Sequence, residues 1–228
     1  MKTENRKPQI LVKVDPKSYY AESIRSIRTN LQFSGVNKEV KTILMTSPEP
    51  SDGKSFTSAN LAVAYAQDGK KVLIIDCDLR RGSQHKIFNI IKDPSKGYSN
   101  LILNYEEGMN YQDYLVKTSI KNVFLIPNGG LPPNPIELLS SKKNEKLIKK
   151  LKEEFDIIIF DCPPTLGLSD AMIMTKYSDV NIVIVSSKKT KTEDLREVQK
   201  SFEKVNSTIT GIILNKSTTK KTYYSYRY

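Results

Sequence analysis

Three aspartates, a lysine and a serine carry the chemistry that this sequence can support. Gly53, Lys54 and Ser55 follow the apolar run ILMT through the loop SPEPSD and stand where a helical pattern opens. In that placement backbone N–H groups and a helix N-terminus hold phosphates, the lysine reaches the β and γ phosphates, and the hydroxyl binds Mg²⁺. The full GxxxxGK[ST] pattern is broken, because Pro48 stands where the first glycine is required. A GKS triplet alone would serve equally well as an ordinary helix-entry loop. Asp76 and Asp78 lie two positions apart at the end of the run VLIID, with Arg80 just beyond, and Asp161 ends IIIFD, where Pro163 and Pro164 stop the strand. Any one of these aspartates could be a turn or N-cap residue. Three at the carboxyl ends of strands, where open α/β sheets bind ligands, point to one site. Phosphoryl transfer from ATP needs a cation against the triphosphate, hard oxygens for Mg²⁺ and a carboxylate at the acceptor. Lys54, Ser55 and the aspartates supply each part.

Elements must hold those residues in place. Short, continuously apolar, β-branched runs occur at 42–46, 72–76, 123–127, 157–161, 180–185 and 209–215. Runs without polar alternation belong to strands buried on both faces, and their alternation with helical patterns gives βαβ units. Helices are expected at 20–34, 54–68, 137–154, 170–176 and 193–205. The fold class is therefore α/β: a P-loop NTPase-type, doubly wound, mostly parallel sheet flanked by helices. The expected organisation is an N-terminal extension (1–19), a P-loop body (20–215) and a mobile tail (216–228).

The chain has 228 residues, 38% of them hydrophobic, and a net charge of +11 from 36 basic and 25 acidic residues. Such a length suits one α/β domain. No apolar run exceeds VLII or IIIF, which is too short for a membrane span, and a cytoplasmic location is expected. Cys77 and Cys162 each follow an aspartate and offer neither a disulfide framework nor a CxxC metal pair. The charge is unevenly spread. Residues 141–154 mix signs, with Leu147, Ile148 and Leu151 at helical spacing, and read as a solvated amphipathic helix. From Lys216 to Tyr228 there are four basic residues and no acidic one, and four of the twelve tyrosines fall there: Tyr223, Tyr224, Tyr226 and Tyr228.

Taken together, TSPEPSDGKS, VLIIDCDLR, IIIFDCPP and GGLPPNPIELLSS resemble the bacterial tyrosine kinases, and most closely the cytoplasmic kinases of capsule and exopolysaccharide operons in Gram-positive bacteria. The resemblance implies an ATP-dependent protein tyrosine kinase that phosphorylates its own tyrosine cluster in trans. It implies ATP binding by Ser51, Asp52, Gly53, Lys54, Ser55 and Phe56, with Asn215 toward adenine. It implies catalytic roles for Lys54, Asp76 and Asp78, and metal support from Ser55, Asp78 and Asp161. Which of Asp76 and Asp78 activates the tyrosine stays open. Glu22, Arg25 and Arg28, at steps of three on one helical face, match the family's ExxRxxR oligomerisation motif. The implied partners are copies of the chain in a ring, an activating transmembrane adaptor that recruits it to the inner face of the membrane, and a phosphotyrosine phosphatase. No nucleic acid is expected.

Two departures are visible. Ser51 stands where relatives commonly have glycine, which should stiffen the loop or strain a positive φ. Glu49 occupies the position of the signature lysine of ParA and MinD ATPases, the rival reading, and a glutamate cannot serve a phosphate across a dimer.

Overall fold

A computed structural model describes residues 10–34 and 39–217. Seven strands are β1 (Thr42–Thr46), β2 (Val72–Asp76), β3 (Val116–Lys117), β4 (Val123–Ile126), β5 (Ile157–Asp161), β6 (Val180–Ser186) and β7 (Gly211–Asn215). They form one sheet in the order β3-β4-β2-β5-β1-β6-β7, parallel throughout except for the antiparallel edge strand β3. Every residue of β1, β2, β5 and β6 is buried, as runs without polar alternation require.

Helices cover both faces. On one lie α1 (Leu11–Val14), α2 (Tyr19–Ser34), α3 (Lys54–Gln67) and α4 (Gln84–Ile87), over a core that includes Ile24, Leu61, Tyr65 and Ile159. On the other lie α5 (Tyr98–Asn104), α6 (Pro135–Ser140), α7 (Lys142–Glu154), α8 (Asp170–Met174) and α9 (Thr192–Glu203), over Tyr98, Leu151, Phe160 and Phe202. Each of these fully buried large side chains contributes about 1.5–3 kcal/mol of transfer free energy. The helix α3 packs on β1, β2 and β5 and is buried without a break from Thr57 to Tyr65. That packing fixes its N-terminus at the carboxyl ends of the central strands.

The structure departs from the sequence expectations in specific places. The helix expected over 137–154 is two helices, because Ser141 is extended (φ −67°, ψ 152°) and its Oγ accepts the Asn144 N–H at 3.2 Å, capping α7. The helix over 170–176 ends at Met174 and runs into a 3₁₀ turn, Thr175–Tyr177. Helices α4 and α5 and strand β3 had no sequence signal. Within the expected N-terminal extension Val12 is wholly buried, and its N–H donates to Asn60 Oδ1 on α3 at 3.1 Å.

A candidate phosphoryl-transfer site

The loop between β1 and α3 turns on two left-handed residues, Ser51 (φ 69°) and Gly53 (φ 101°). Serine therefore does occupy a positive-φ position, at a cost of roughly 1–2 kcal/mol. Gly53 has a different constraint as well, since a Cβ there would lie 2.0 Å from Asn215 Nδ2. The loop is clamped from inside and outside. Asp52 Oδ2 accepts the Glu49 N–H at 3.0 Å, and Asn215 Nδ2 donates to the Asp52 carbonyl at 2.8 Å. Lys216 Nζ donates to the Ser51 carbonyl, and Lys189 pairs with Glu49 and donates to the Pro50 carbonyl at 3.2 Å. The Glu49 side chain is thus tied to the segment that follows β6.

Lys54 opens α3 and meets all the acidic strand ends. Its ammonium lies 3.4 Å from Asp161 Oδ1 and 3.6 Å from Asp78 Oδ2, and donates to Ser55 Oγ at 3.2 Å. Burial works against its charge, but the carboxylates of Asp161, Asp78 and Asp76 outweigh burial and hold its pKa above the usual range. The pairing Asp76↔Asp161 between β2 and β5 puts those two side by side. Burial first, and the Asp161 charge second, push the Asp76 carboxyl up to about 7, against the pull of the Gln84 N–H and of Lys54.

Gln84, for which the sequence offered no signal, ties the site together. Its Nε2 donates to Asp161 Oδ2 at 2.8 Å and to the Ser55 carbonyl at 3.0 Å, while its N–H donates to Asp76 Oδ2 at 3.0 Å. A polar residue opening a four-residue helix reads as surface in a sequence, yet Gln84 is wholly buried. Gly82 leaves room for Asn128, whose Cγ would lie 2.3 Å from a Cβ at that position, and for Asp76 Oδ2 at 2.7 Å.

In front of these groups lies a cavity of about 540 Å³. Ser51, Gly53, Lys54, Ser55, Asp78 and Arg80 make its polar side, and Phe56, Pro164, Leu166 and Leu168 are among its apolar wall residues. Of the paired aspartates only Asp78 lines it, with Oδ1 also accepting the Arg81 N–H at 2.8 Å. Asp76 and Asp161 are wholly buried. Asp52 faces into its own loop, where burial pushes its carboxyl up and the Glu49 N–H opposes that. Asn215 reaches the phosphate loop, as its bond to Asp52 requires.

The remaining residues of interest lie apart. Arg25 pairs with Glu22 at 2.8 Å on α2 and donates to the Pro16 carbonyl at 2.7 Å. Arg28 turns toward α3, donating to the Ala64 carbonyl at 2.9 Å and lying 3.6 Å from Asp68. Tyr223, Tyr224, Tyr226 and Tyr228 lie outside the described residues. Among the described residues no helix is long and apolar enough to cross a membrane.

The residues present fit Mg²⁺ in a particular way. No three acidic, histidine or cysteine side chains among the described residues close into a metal cage. Mg²⁺ does not need one, because it keeps waters and phosphate oxygens alongside one or two carboxylates. Three carboxylates already surround the single ammonium of Lys54, and Asp76 Oδ1 is buried without a hydrogen-bond partner, so the site has negative charge and hard oxygens to spare.

Comparison with known proteins gives this geometry a family. Residues 40–216 match the family model described as an AAA domain. The tyrosine-protein kinase YwqD of Bacillus subtilis is 35% identical over 218 residues, covering 95% of this chain and 90% of the relative. The crystal structure of the chimerical protein CapA2B2 superposes with a TM-score of 0.83 at 35% identity, covering 90% of this chain and 88% of that one. The cell division ATPase MinD of Pyrococcus furiosus reaches a TM-score of 0.62 at 26% identity, covering 76% of this chain and 71% of its own, so the rival shares the sheet but less of the molecule. On these grounds the chain belongs to the bacterial tyrosine kinases.

Proposed function

We propose that this kinase phosphorylates Tyr223, Tyr224, Tyr226 and Tyr228 of neighbouring copies, and that this autophosphorylation regulates the synthesis and export of capsular or exopolysaccharide. The observation that carries the reading is the two-sided cavity: a floor of Lys54, Ser55 and Asp78 for the end of a triphosphate, and an apolar wall of Pro164, Leu166 and Leu168 suited to an aromatic ring. Mg²⁺, held by Ser55 and Asp78 with support from Asp161, would supply positive charge to the phosphates. Lys54 offsets the charge of the nucleotide. In the transfer, the tyrosine oxygen bonds to the γ phosphorus, the bond from that phosphorus to the ADP oxygen breaks, and the phenolic proton passes to the Asp76 and Asp78 pair, whose cavity-facing member is Asp78.

Assembly and control follow from the same chain. Glu22 and Arg25 sit on the outer part of α2 and would re-pair between subunits of a ring, with Arg28 bracing α2 on α3. A membrane adaptor is the proposed activator and anchor at the inner face of the membrane, and a phosphotyrosine phosphatase the proposed reset. Full modification would add roughly −1.5 to −2 charges per tyrosine at pH 7. That outweighs the four cations between Lys216 and Tyr228 and would push tails apart in a ring.

The test is phosphotyrosine mapping after incubation with ATP, Mg²⁺ and the adaptor's cytoplasmic tail, comparing wild type with Lys54→Met and with all four tail tyrosines changed to phenylalanine. Signal confined to the tail and lost in both variants supports the reading. Signal that survives Lys54→Met, or that persists in full without the tail tyrosines, overturns it.

A further inference from the structure

Asp170 opens α8 and is buried, its side chain only 1% exposed. Neither carboxylate oxygen has a hydrogen-bond partner among the described residues. Its one ion pair among them is with Arg80, whose Nε lies 3.7 Å from Oδ1. A buried carboxylate in that condition is costly, and removing its single cation would leave it uncompensated. Such a group persists where it holds something in place.

What it holds is a wall of the nucleotide cavity. Arg80 lines that cavity beside Lys54, Ser55 and Asp78, with its side chain 38% exposed. Asp170 follows the loop that carries Pro164, Leu166 and Leu168, which line the same cavity. The pair therefore ties Arg80, on the cavity wall, to the buried start of α8. At 3.7 Å it is longer than a closed charge-assisted hydrogen bond, about 2.7–2.9 Å. It is the Nε side of the guanidinium that meets the carboxylate. A guanidinium presents its donors as a rigid fork matched to phosphate oxygens. The floor meanwhile presents Asp78, with Asp76 and Asp161 buried behind Lys54, so an untethered Arg80 would be drawn down to Asp78 and quenched there.

We propose that Asp170 is a positioning residue: it anchors the Nε side of Arg80 so that the terminal nitrogens face the γ-phosphoryl group of bound ATP rather than Asp78 on the floor. This rests on the reading that the cavity takes the triphosphate.

The test is calorimetric titration of the purified full chain with ATP and with ADP, each with Mg²⁺, for wild type, Arg80→Ala, Arg80→Lys, Asp170→Asn and the Arg80→Ala/Asp170→Asn double variant, alongside thermal melting. ADP lacks the γ-phosphoryl group, so its affinity should stay within about twofold throughout, while ATP affinity falls about tenfold in Arg80→Ala and in Asp170→Asn. The double variant should lose no more than Arg80→Ala alone, because Asp170 acts through Arg80. Arg80→Lys keeps the charge but not the fork and should recover only part of the loss. In melting, Arg80→Ala should lower Tm, and Asp170→Asn added to it should raise Tm again by removing the orphaned charge. That cycle decides the pairing even if Asp170→Asn alone does not fold. Losses that multiply in the double variant, an unchanged preference for ATP in Asp170→Asn, or a double variant less stable than Arg80→Ala would each overturn the proposal. A wild type that binds neither nucleotide would instead overturn the nucleotide reading of the cavity, and with it the role given to Arg80.

Discussion

Changing Gln84 to leucine tests whether one neutral side chain holds the acidic centre together. The replacement keeps the approximate volume of a wholly buried residue and removes its Nε2 donor. Two bonds go, the 2.8 Å bond to Asp161 Oδ2 and the 3.0 Å bond to the Ser55 carbonyl. A hydrogen bond to a charged group is worth about 1.5–3 kcal/mol and a neutral one about 0.5–1.5. Against that loss, Gln84 Oε1 is itself buried without a partner, and its removal returns about 1 kcal/mol. The backbone N–H that donates to Asp76 is retained. The net cost is then about 1–3.5 kcal/mol, which for a chain of this size lowers Tm by roughly 2–14 °C. Gln84→Glu should be at least as damaging, because it sets a fourth carboxylate against Asp161. The measurement is a thermal melt at pH 7 without nucleotide. A leucine variant that melts within about 1 °C of wild type, or a glutamate variant more stable than the leucine variant, would refute the idea that Asp161 depends on this donor.

Three further outcomes follow from the site. In EDTA, Asp76, whose pKa rises from 3.8 unfolded to about 7 folded, contributes stability that is fully present below pH 4 and lost as pH rises through 7. The full swing is on the order of 4 kcal/mol, so Asp76→Asn should flatten the pH dependence of Tm between 4 and 8, and parallel wild-type and variant profiles would count against it. Gly53→Ala, with φ at 101° and its Cβ 2.0 Å from Asn215 Nδ2, should break the Asn215 to Asp52 bond and reduce ATP affinity at least tenfold by titration. Ser51→Gly relieves a left-handed φ of 69° but adds freedom to the unfolded chain, so Tm should rise by no more than about 1–3 °C, and a fall would show that the serine side chain is needed.

The parts of the fold legible in the sequence were those written in consecutive residues. Uninterrupted runs such as VLIID and IIIFD announced strands buried on both faces, and they carried Asp76 and Asp161 to the carboxyl end of the sheet because strand ends are fixed by the same runs. Breaks set by a single cap were not legible: Ser141 divides α6 from α7 through one bond to Asn144, inside a stretch whose apolar period continues on both sides. Gln84 and Asp170 were illegible for another reason. Their partners come from distant parts of the chain, 77 residues away for the Gln84 to Asp161 bond, and nothing local marks a polar residue that tertiary structure will bury.

Six of the twelve buried side-chain atoms without a hydrogen-bond partner among the described residues belong to Asp52, Asp76, Gln84, Asn128 and Asp170, and all six are acceptor oxygens. A fold built for stability alone would pair or replace such atoms, since each leaves desolvation uncompensated. Their gathering beside the phosphate loop makes the site rich in acceptors and short of donors, the imbalance that a substrate arriving with its own cation can correct. A sequence shows residue types, whereas this imbalance is a property of which donors fail to reach them, and it emerges only when the loops after β2 and β5 are folded against α3.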